Sequence, residues 1–324
     1  MSVALTKSRC INTLRCYWNY ALSLVGLVRF SHMPAFINVE PANVCQLKCP
    51  ACPVGLRNNE ITRSRDHEKW LSLEVWHRVL AEVREYAHTI QFFFQGEPLL
   101  NKDLPQMIKE AHEAGLYTIV STNAQAMTPE LAEALIGAGL NRIIVSLDGL
   151  TNETYNAYRV GGSVEKVKAA LRHLREAKEH LQSRIIIELQ CLRLRTNEHE
   201  WKEFRRQYKA LGADRLVFKT AQLYNYQHGH PLMPTETRHS RYVKGADGLY
   251  HRKSLHRGCL RAWSGVVVTT NGDVLPCCYD KAHEYAYGNI MKQSLAELFT
   301  GPKAYAFRKA ALKEQPEICK ECWR

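Results

Sequence analysis

The stretch Cys45-Gln46-Leu47-Lys48-Cys49-Pro50-Ala51-Cys52 places three thiols in one short segment with C-x3-C-x2-C spacing. It follows a short β-like run, Phe36 to Glu40. Cysteine thiolates hold iron–sulfur clusters. A cubane cluster has four irons, so three protein ligands leave one iron open, and an open metal position favours chemistry over a purely structural role. Zinc is the alternative, but structural zinc sites use four ligands, commonly from two CxxC-like pairs.

The cysteine spacing and its surroundings resemble the radical SAM superfamily. The match includes Asn38-Val39-Glu40-Pro41 before the cysteines and Gly96-Glu97-Pro98 after the second predicted strand. The resemblance implies that Cys45, Cys49 and Cys52 ligate a [4Fe-4S] cluster whose open iron chelates the amino and carboxylate groups of S-adenosylmethionine (SAM). Reductive cleavage of SAM would then give a 5′-deoxyadenosyl radical that abstracts a substrate hydrogen.

Length and composition predict a globular protein with a large domain and a small one. The 324 residues can bury a substantial core, and a hydrophobic content of 45% with 23% charged residues is ordinary for this class. The eleven cysteines are odd in number and tightly clustered, which favours metal ligation over disulfide pairing. Free thiols are typical of a reducing compartment, so we expect a cytoplasmic protein.

The net charge of +12 favours anionic partners such as phosphorylated substrates, nucleic acid or acidic lipid. Basic residues are denser between Arg238 and Arg261. The chain has no aromatic-and-basic module typical of RNA binding, so we interpret the charge as a solvated basic face. No nucleic-acid partner is expected.

Residues 1–35 form an N-terminal segment with helical periodicity. Its apolar residues at roughly helical spacing are Leu14, Trp18, Leu22, Val25 and Val28. Polar residues break the run and no small-residue cleavage site follows, which disfavours a signal peptide. The run is also shorter than the roughly 20 apolar residues of a membrane span. We predict an amphipathic helix packed on the main domain, and the alternative is an interfacial helix in peripheral contact with a membrane.

From Phe36 onward, short β-like runs alternate with amphipathic helices, which predicts an α/β fold with a parallel sheet and right-handed crossovers. The predicted strands are 36–40, 89–94, 117–121, 142–146, 184–190 and 215–219. The predicted helices between them are 73–86, 104–114, 129–137, 164–180 and 198–211. Periodicity does not distinguish an open sheet from a barrel. The radical SAM resemblance implies a partial (β/α)6 barrel over residues 36–221, with active groups at the carboxyl ends of the strands.

Polar residues that the resemblance assigns to SAM binding follow the second, third and fourth predicted strands. The loop at Gly96 would bind the amino group of SAM, and small polar side chains on the next two strands would hold its sugar and carboxylate. Turn chemistry is the alternative for those side chains, and an exposed salt bridge is the alternative for Arg159. Ala51 stands where many family members have an aromatic residue near the adenine. The candidate SAM-binding residues are Gly96, Glu97, Pro98, Ser121, Asn123, Ser146, Asp148 and Arg159.

Residues 222–258 break the alternation and are predicted to be a linker, followed by a small Cys-rich module at residues 259–324. The spacing C-x12-G-x4-C around Gly272 resembles the opening of the SPASM domain. Because the chain stops at Arg324, we interpret the module as the truncated twitch version with one auxiliary [4Fe-4S] cluster. Either Cys277 or its neighbour Cys278 could ligate, and a zinc site is the alternative. The four candidate ligands are Cys259, Cys277, Cys319 and Cys322.

We expect a radical SAM enzyme of the oxidoreductase type, acting on a small anionic or sugar-like metabolite. The auxiliary cluster would accept an electron, and flavodoxin or ferredoxin would donate one for SAM cleavage. The small-molecule substrate is favoured because the first 35 residues are too few for a peptide-recognition domain. A peptide-modifying maturase is the enzyme alternative, and a non-catalytic iron–sulfur or zinc protein is the alternative of another class. The catalytic acid or base is not assigned.

Overall fold

The computed structural model describes residues 6–29, 31–56, 68–253, 259–313, 315–320 and 322. The strands are β1 (Phe36–Val39), β2 (Thr89–Phe92), β3 (Tyr117–Thr122), β4 (Arg142–Ser146), β5 (Ile186–Arg193), β6 (Arg215–Thr220), β7 (Tyr242–Lys244), β8 (Tyr250–Arg252), β9 (Gly265–Val268), β10 (Asp273–Leu275) and β11 (Gly288–Asn289). The helices are α1 (Lys7–Leu24), α2 (Pro53–Leu56), α3 (Leu73–Val83), α4 (Leu104–Glu113), α5 (Pro129–Gly137), α6 (Asn152–Asn156), α7 (Val164–His180), α8 (Trp201–Gln207), α9 (Leu260–Ser264), α10 (Leu295–Thr300), α11 (Pro302–Lys313) and α12 (Glu317–Lys320).

Strands β1 to β6 pair in chain order, and every pair is parallel. Helices lie in the crossovers, and their apolar faces bury strand residues such as Ile90, Phe92, Ile143 and Val145. Strand β6 lies at one end of the sheet and β11 at the other. The predicted α/β fold, a parallel sheet arranged as a partial (β/α)6 barrel, is confirmed.

The C-terminal strands extend the same sheet. Strand β9 pairs in parallel with β1 and in antiparallel with β10. The turn between β9 and β10 falls at Asn271-Gly272, a pair that favours hairpin turns, and Gly272 adopts a φ of +84°. Helices α10 and α11 are separated at Gly301, and Pro302 begins α11. The boundaries at residues 36, 222 and 259 stay predictions.

Segment 222–258, predicted to be a linker, contains a small antiparallel sheet of β7 and β8. Its last residues, 254–258, lie outside the described ranges.

One predicted helix, 198–211, differs from the observed structure. The chain forms a 3₁₀ segment, Arg195–Glu200, and only then helix α8. Asn197 explains the difference, because its side-chain oxygen accepts hydrogen bonds from the Leu194 backbone (3.1 Å) and the Trp201 indole (2.8 Å). Its amide nitrogen also donates to the carbonyl of Asp148 at 2.9 Å. These contacts with the neighbouring strand end override the local helical pattern.

Helix α1 packs on the main domain as predicted, but through the opposite face. The apolar residues expected to face the protein are exposed instead, with relative exposures of 69% for Leu14, 65% for Trp18 and 74% for Val25. None of the described helices is long and apolar enough to cross a membrane. The buried residues of α1 are Arg9, Asn12, Cys16, Asn19 and Ser23.

Backbone carbonyls at the ends of two barrel helices explain why this polar face is buried. The Arg9 guanidinium donates to the carbonyl of Arg84 (2.6 Å), which ends α3, and to those of Ala114 (2.7 Å) and Gly115 (2.6 Å), which end α4. The last carbonyls of a helix lack intrahelical partners and carry the negative end of the helix dipole. A buried guanidinium donates hydrogen bonds to these carbonyls and places a positive charge at the negative end of each helix dipole. The Asn12 side-chain amide donates to two further backbone carbonyls.

Replacing Arg9 with methionine is expected to lower the free energy of unfolding by about 3 kcal/mol, because buried carbonyls lose a charged donor. Denaturant unfolding of the full chain measures the loss. The matched control is Arg15→Met, an exposed arginine on the same helix, which is expected to change stability by less than about 0.5 kcal/mol. Equal losses in the two variants would contradict this account of how α1 is held.

Candidate active site

The three thiols of the first cysteine motif line one cavity of about 360 Å³ at the carboxyl end of the parallel strands. Pro98 begins a 3₁₀ turn beside the cavity, and Asp148 lies fully buried behind Arg159. The predicted site residues that the structure brings together around the cavity are Cys45, Cys49, Cys52, Gly96, Glu97, Ser121, Asn123, Ser146 and Arg159.

The loop after β1, which carries the cysteines, packs directly on the loop after β2. The Glu97 backbone N–H donates to the Val44 carbonyl at 2.8 Å. Gly96 has a φ of +67°, and a Cβ atom there would lie 2.2 Å from the Ala42 carbonyl oxygen. Only glycine fits this conformation and this close approach. The two loops therefore hold each other in place.

Replacing Gly96 with alanine is expected to displace the cysteine loop, and a displacement of about 1 Å can lower a rate roughly a hundredfold. The measurement is 5′-deoxyadenosine formation from SAM with dithionite. Gly137→Ala is the matched control, because a Cβ atom there meets only the Leu181 side chain at 4.0 Å. Wild-type activity in the Gly96 variant would refute the tight packing of the two loops.

Glu97 joins the ends of two neighbouring strands. Its buried carboxylate accepts hydrogen bonds from the Thr122 hydroxyl (2.5 Å), the Asn123 backbone (2.8 Å) and the Leu99 backbone (3.1 Å). Burial raises the pKa of Glu97, although these donors oppose the shift. Asn123 in turn donates to the Cys45 sulfur at 3.4 Å. Glu97 thus positions a side chain that contacts the first thiol.

Arg159 is held in place by Asp148. The two form an ion pair at 2.6 Å, and Asp148 also accepts a hydrogen bond from the Leu192 backbone at 2.6 Å. Burial alone would lower the pKa of Arg159, but Asp148 and Cys49 together raise that pKa well above its ordinary value. The ion pair is buried, unlike the exposed salt bridge considered from the sequence. Arg159 therefore presents a fixed guanidinium to the cavity, and a guanidinium can bind a carboxylate through two parallel hydrogen bonds.

Several cavity-lining residues were not predicted from the sequence. Aromatic rings from Phe93, Phe94 and Tyr158 face the cavity and can supply the packing that Ala51 lacks. The β5 residue Gln190 also lines it. The sequence could have indicated these residues, because each lies at a strand end or beside a predicted site residue.

Lys281 reaches the same cavity from the C-terminal module. The Gln95 side chain donates to the Lys281 carbonyl at 3.0 Å, which joins the module to the loop after β2. No sequence motif predicted that this lysine would line the cavity. Asp280, next to it, is buried, and its carboxylate accepts hydrogen bonds from the backbones of Glu284 (2.9 Å) and Tyr285 (3.0 Å). Burial raises the pKa of Asp280 to about 6.

The C-terminal cysteines form a second group of thiols. Burial raises the pKa of Cys277 well above its usual value, and Cys278, Cys259 and Cys319 raise this pKa further. Burial also raises the pKa of Cys319 to about 12, with smaller contributions from Cys259 and Cys322. Because such contributions require proximity, these thiols lie close together.

Cys278 also interacts with groups outside the thiol cluster. Burial lowers the pKa of Lys219, and Glu188 and Cys278 oppose this shift. Cys278 also contributes to the raised pKa of Tyr279, whose main cause is burial. The Cys277 sulfur accepts a hydrogen bond from the Tyr279 backbone at 3.4 Å.

The donor sets suit iron–sulfur clusters. All eleven cysteines are free thiols, and thiolates are the ligands of such clusters. Within the described ranges, no group of three or more His, Cys, Asp or Glu side chains is gathered as a single metal ion requires. A cubane cluster is larger than one ion, so its ligands stand further apart. The all-thiol donor sets at the two sites are those that iron–sulfur clusters use.

Two family models match the chain in the order of its two cysteine groups. The Radical SAM superfamily model matches residues 39–187, and the SPASM model, an iron–sulfur cluster-binding domain, matches residues 259–323. The chain thus contains a radical SAM domain followed by a SPASM domain. The predicted radical SAM enzyme with a SPASM-type module is thereby confirmed, and so are its cofactors: SAM, a SAM-binding [4Fe-4S] cluster and an auxiliary [4Fe-4S] cluster.

Similar radical SAM proteins are known by sequence and by structure. The PqqA peptide cyclase of Granulibacter bethesdensis is 27% identical over 317 residues, which cover 90% of this chain and 80% of the relative. The PqqA peptide cyclase of Streptomyces rochei is 27% identical over 311 residues, covering 89% and 81%. The structure of Streptococcus suis SuiB bound to S-adenosylmethionine has a TM-score of 0.67 at 14% identity, covering 98% of this chain and 78% of SuiB. At this identity the likeness to SuiB shows the fold alone.

The expectation of a small-metabolite oxidation is wrong. The relatives that align with about nine tenths of this radical SAM chain are peptide cyclases by name. The expectation relied on positive charge and on the shortness of the first 35 residues. Positive charge does not distinguish a phosphorylated metabolite from a peptide that carries carboxylates, because both are anionic.

Proposed function

We propose that this protein is a peptide-modifying radical SAM enzyme that closes a cross-link within a peptide, which is a net oxidation. The observation that supports this is the alignment with PqqA peptide cyclases along 90% of the chain. That alignment is long enough to require both the barrel and part of the C-terminal module. A relative of the barrel alone would say less about the substrate.

When bound, SAM and the two clusters supply a 5′-deoxyadenosyl radical that takes one hydrogen atom from the peptide and an acceptor for the electron left behind. Closing a cross-link breaks two bonds to hydrogen and forms one new bond. One hydrogen atom ends in 5′-deoxyadenosine, and the other leaves as a proton and an electron. A flavodoxin or ferredoxin is the proposed donor of the electron that SAM cleavage consumes.

We assign the seven predicted thiols to two roles. Cys45, Cys49 and Cys52 hold the SAM-binding cluster, since all three line the 360 Å³ cavity. The auxiliary cluster is held by Cys259, Cys277, Cys319 and Cys322. Cys277 is preferred to Cys278 because it stands at the position of the C-x12-G-x4-C spacing and its sulfur accepts a hydrogen bond from the Tyr279 backbone at 3.4 Å.

The remaining predicted residues bind SAM in this proposal. Arg159, fixed by Asp148, binds the SAM carboxylate. The loop at Gly96 and Glu97 binds the amino group through backbone carbonyls and positions Asn123. Small polar side chains at the ends of β3 and β4, Ser121 and Ser146, face the sugar hydroxyls. The aromatic residues around the cavity exclude water from the adenine.

The reconstituted enzyme, incubated with SAM, dithionite and synthetic peptides, tests this function. The peptides are those encoded beside the gene and the PqqA peptide of the Granulibacter relative. Mass spectrometry should detect a peptide product lighter by two hydrogen atoms. Deuterium placed in the peptide should appear in 5′-deoxyadenosine. SAM cleavage that leaves every peptide unchanged and undeuterated 5′-deoxyadenosine would count against peptide modification.

A further inference from the structure

We propose that the exposed face of helix α1 docks the enzyme on an anionic membrane surface. This face, called here the apolar face of α1, consists of Ile11, Leu14, Tyr17, Trp18, Leu24 and Val25. Its residues are between 39% and 74% exposed. The inference is independent of the peptide substrate.

The apolar face of α1 is one continuous stripe. A helix advances by about 100° per residue, which places Leu14 and Trp18 roughly opposite Cys16 and Asn19. Most buried side chains of α1 make hydrogen bonds to the barrel or to residues 31–33, so the apolar side is left to solvent. Contiguous exposed apolar surface on a folded protein marks an interaction site.

The positive charge around the apolar face of α1 favours an anionic partner. Residues 1–35 contain no Asp or Glu, and they carry four basic residues. Arg9 is buried against the barrel, whereas Lys7, Arg15 and Arg29 are exposed. Exposed Glu85 lies near the start of the helix, where its carbonyl accepts a hydrogen bond from the Ser8 hydroxyl, and Arg15 and Arg29 lie further along the chain.

A basic amphipathic helix with Trp and Tyr on its apolar side is typical of helices that lie in the membrane interface. Each basic residue near an anionic bilayer contributes about 1 kcal/mol. A second copy of this chain would instead bring like charges together. Charge therefore favours an anionic lipid surface over self-association.

Docking through α1 leaves the active site accessible. Arg9 binds the carbonyls that end α3 and α4. In a βα barrel these helix ends lie on the side of the amino ends of the strands, opposite the catalytic side. The SAM cavity would thus face away from the membrane, towards a peptide and an electron donor.

Co-sedimentation of the full-length holoenzyme with phosphatidylcholine vesicles, with or without phosphatidylglycerol, tests the proposal. The wild type is expected to pellet with the phosphatidylglycerol vesicles. The double variant Leu14→Glu/Trp18→Glu should bind at least about tenfold more weakly while still cleaving SAM. The matched control is Met291→Glu/Tyr305→Glu, which replaces apolar side chains that are 41% and 42% exposed elsewhere, and it should bind like the wild type.

Three results would overturn the proposal. The wild type could fail to pellet with phosphatidylglycerol vesicles, or the Leu14/Trp18 variant could pellet as well as the wild type. Sedimentation without lipid could also show a wild-type dimer that this variant alone abolishes, which would make the apolar face an interface between copies. SAM cleavage by both variants shows that each is folded, so a loss of vesicle binding cannot come from misfolding.

Discussion

Replacing Cys45, Cys49 and Cys52 together with alanine is expected to abolish 5′-deoxyadenosine formation. The three thiols line the cavity that also contains Arg159 and Glu97, and no SAM can be cleaved where no cluster binds. The variant should retain about half of the iron, because the C-terminal thiols still hold the second cluster. Iron analysis measures the iron that the variant retains, and chromatography measures the 5′-deoxyadenosine that it forms.

The fold should survive this triple substitution. The cysteine loop is anchored by backbone hydrogen bonds, from Lys48 to the Val160 carbonyl at 2.9 Å and from Leu56 to the Cys52 carbonyl at 2.9 Å. Cys10→Ala is the control, since Cys10 is an exposed thiol outside both groups, and it should retain iron and activity. A triple variant that still cleaves SAM would show that these thiols are not the ligands.

Replacing Cys277 with alanine is expected to remove the auxiliary cluster and leave SAM cleavage in place. Cys277 is half-buried, and its sulfur accepts a hydrogen bond from the Tyr279 backbone at 3.4 Å. Without a cluster there, the electron left on the peptide has no acceptor. We expect 5′-deoxyadenosine to form with little or no cross-linked peptide, and about half of the iron to be lost.

The neighbouring substitution Cys278→Ala is the matched control for Cys277. It removes a thiol of the same type one position along, which interacts with Lys219 and Tyr279. Full iron content and normal peptide product are expected. The reverse pattern, with iron lost from the Cys278 variant and kept in the Cys277 variant, would assign the ligand to Cys278.

Local patterns predicted much of this fold because local forces decide it. Helix α5 begins at Pro129, as predicted, and the Thr128 side chain accepts the hydrogen bond from the Leu131 backbone that caps the helix. The parallel strands have apolar runs that need cover on both faces. The three-thiol loop was recognisable because all three of its thiols lie within eight consecutive residues, Cys45 to Cys52.

Features that depend on distant contacts were missed. The orientation of α1 follows from Arg9, whose carbonyl partners lie 75 to 106 residues further along the chain. The 3₁₀ segment before α8 follows from the contact of Asn197 with Asp148. Lys281 reaches the SAM cavity only because β9 pairs with β1. Periodicity carries no information about such partners, and the substrate was missed for the same reason.

The central claim is that the cluster held by Cys45, Cys49 and Cys52 has an open iron that binds SAM. Electron-nuclear double resonance of the reduced Cys277→Ala variant tests it directly, since only the first cluster should remain in that variant. With SAM isotopically labelled at its amino nitrogen, the account predicts a hyperfine coupling between that nitrogen and the cluster. A reduced cluster with no coupling to labelled SAM, or zinc in place of iron at these thiols, would contradict it.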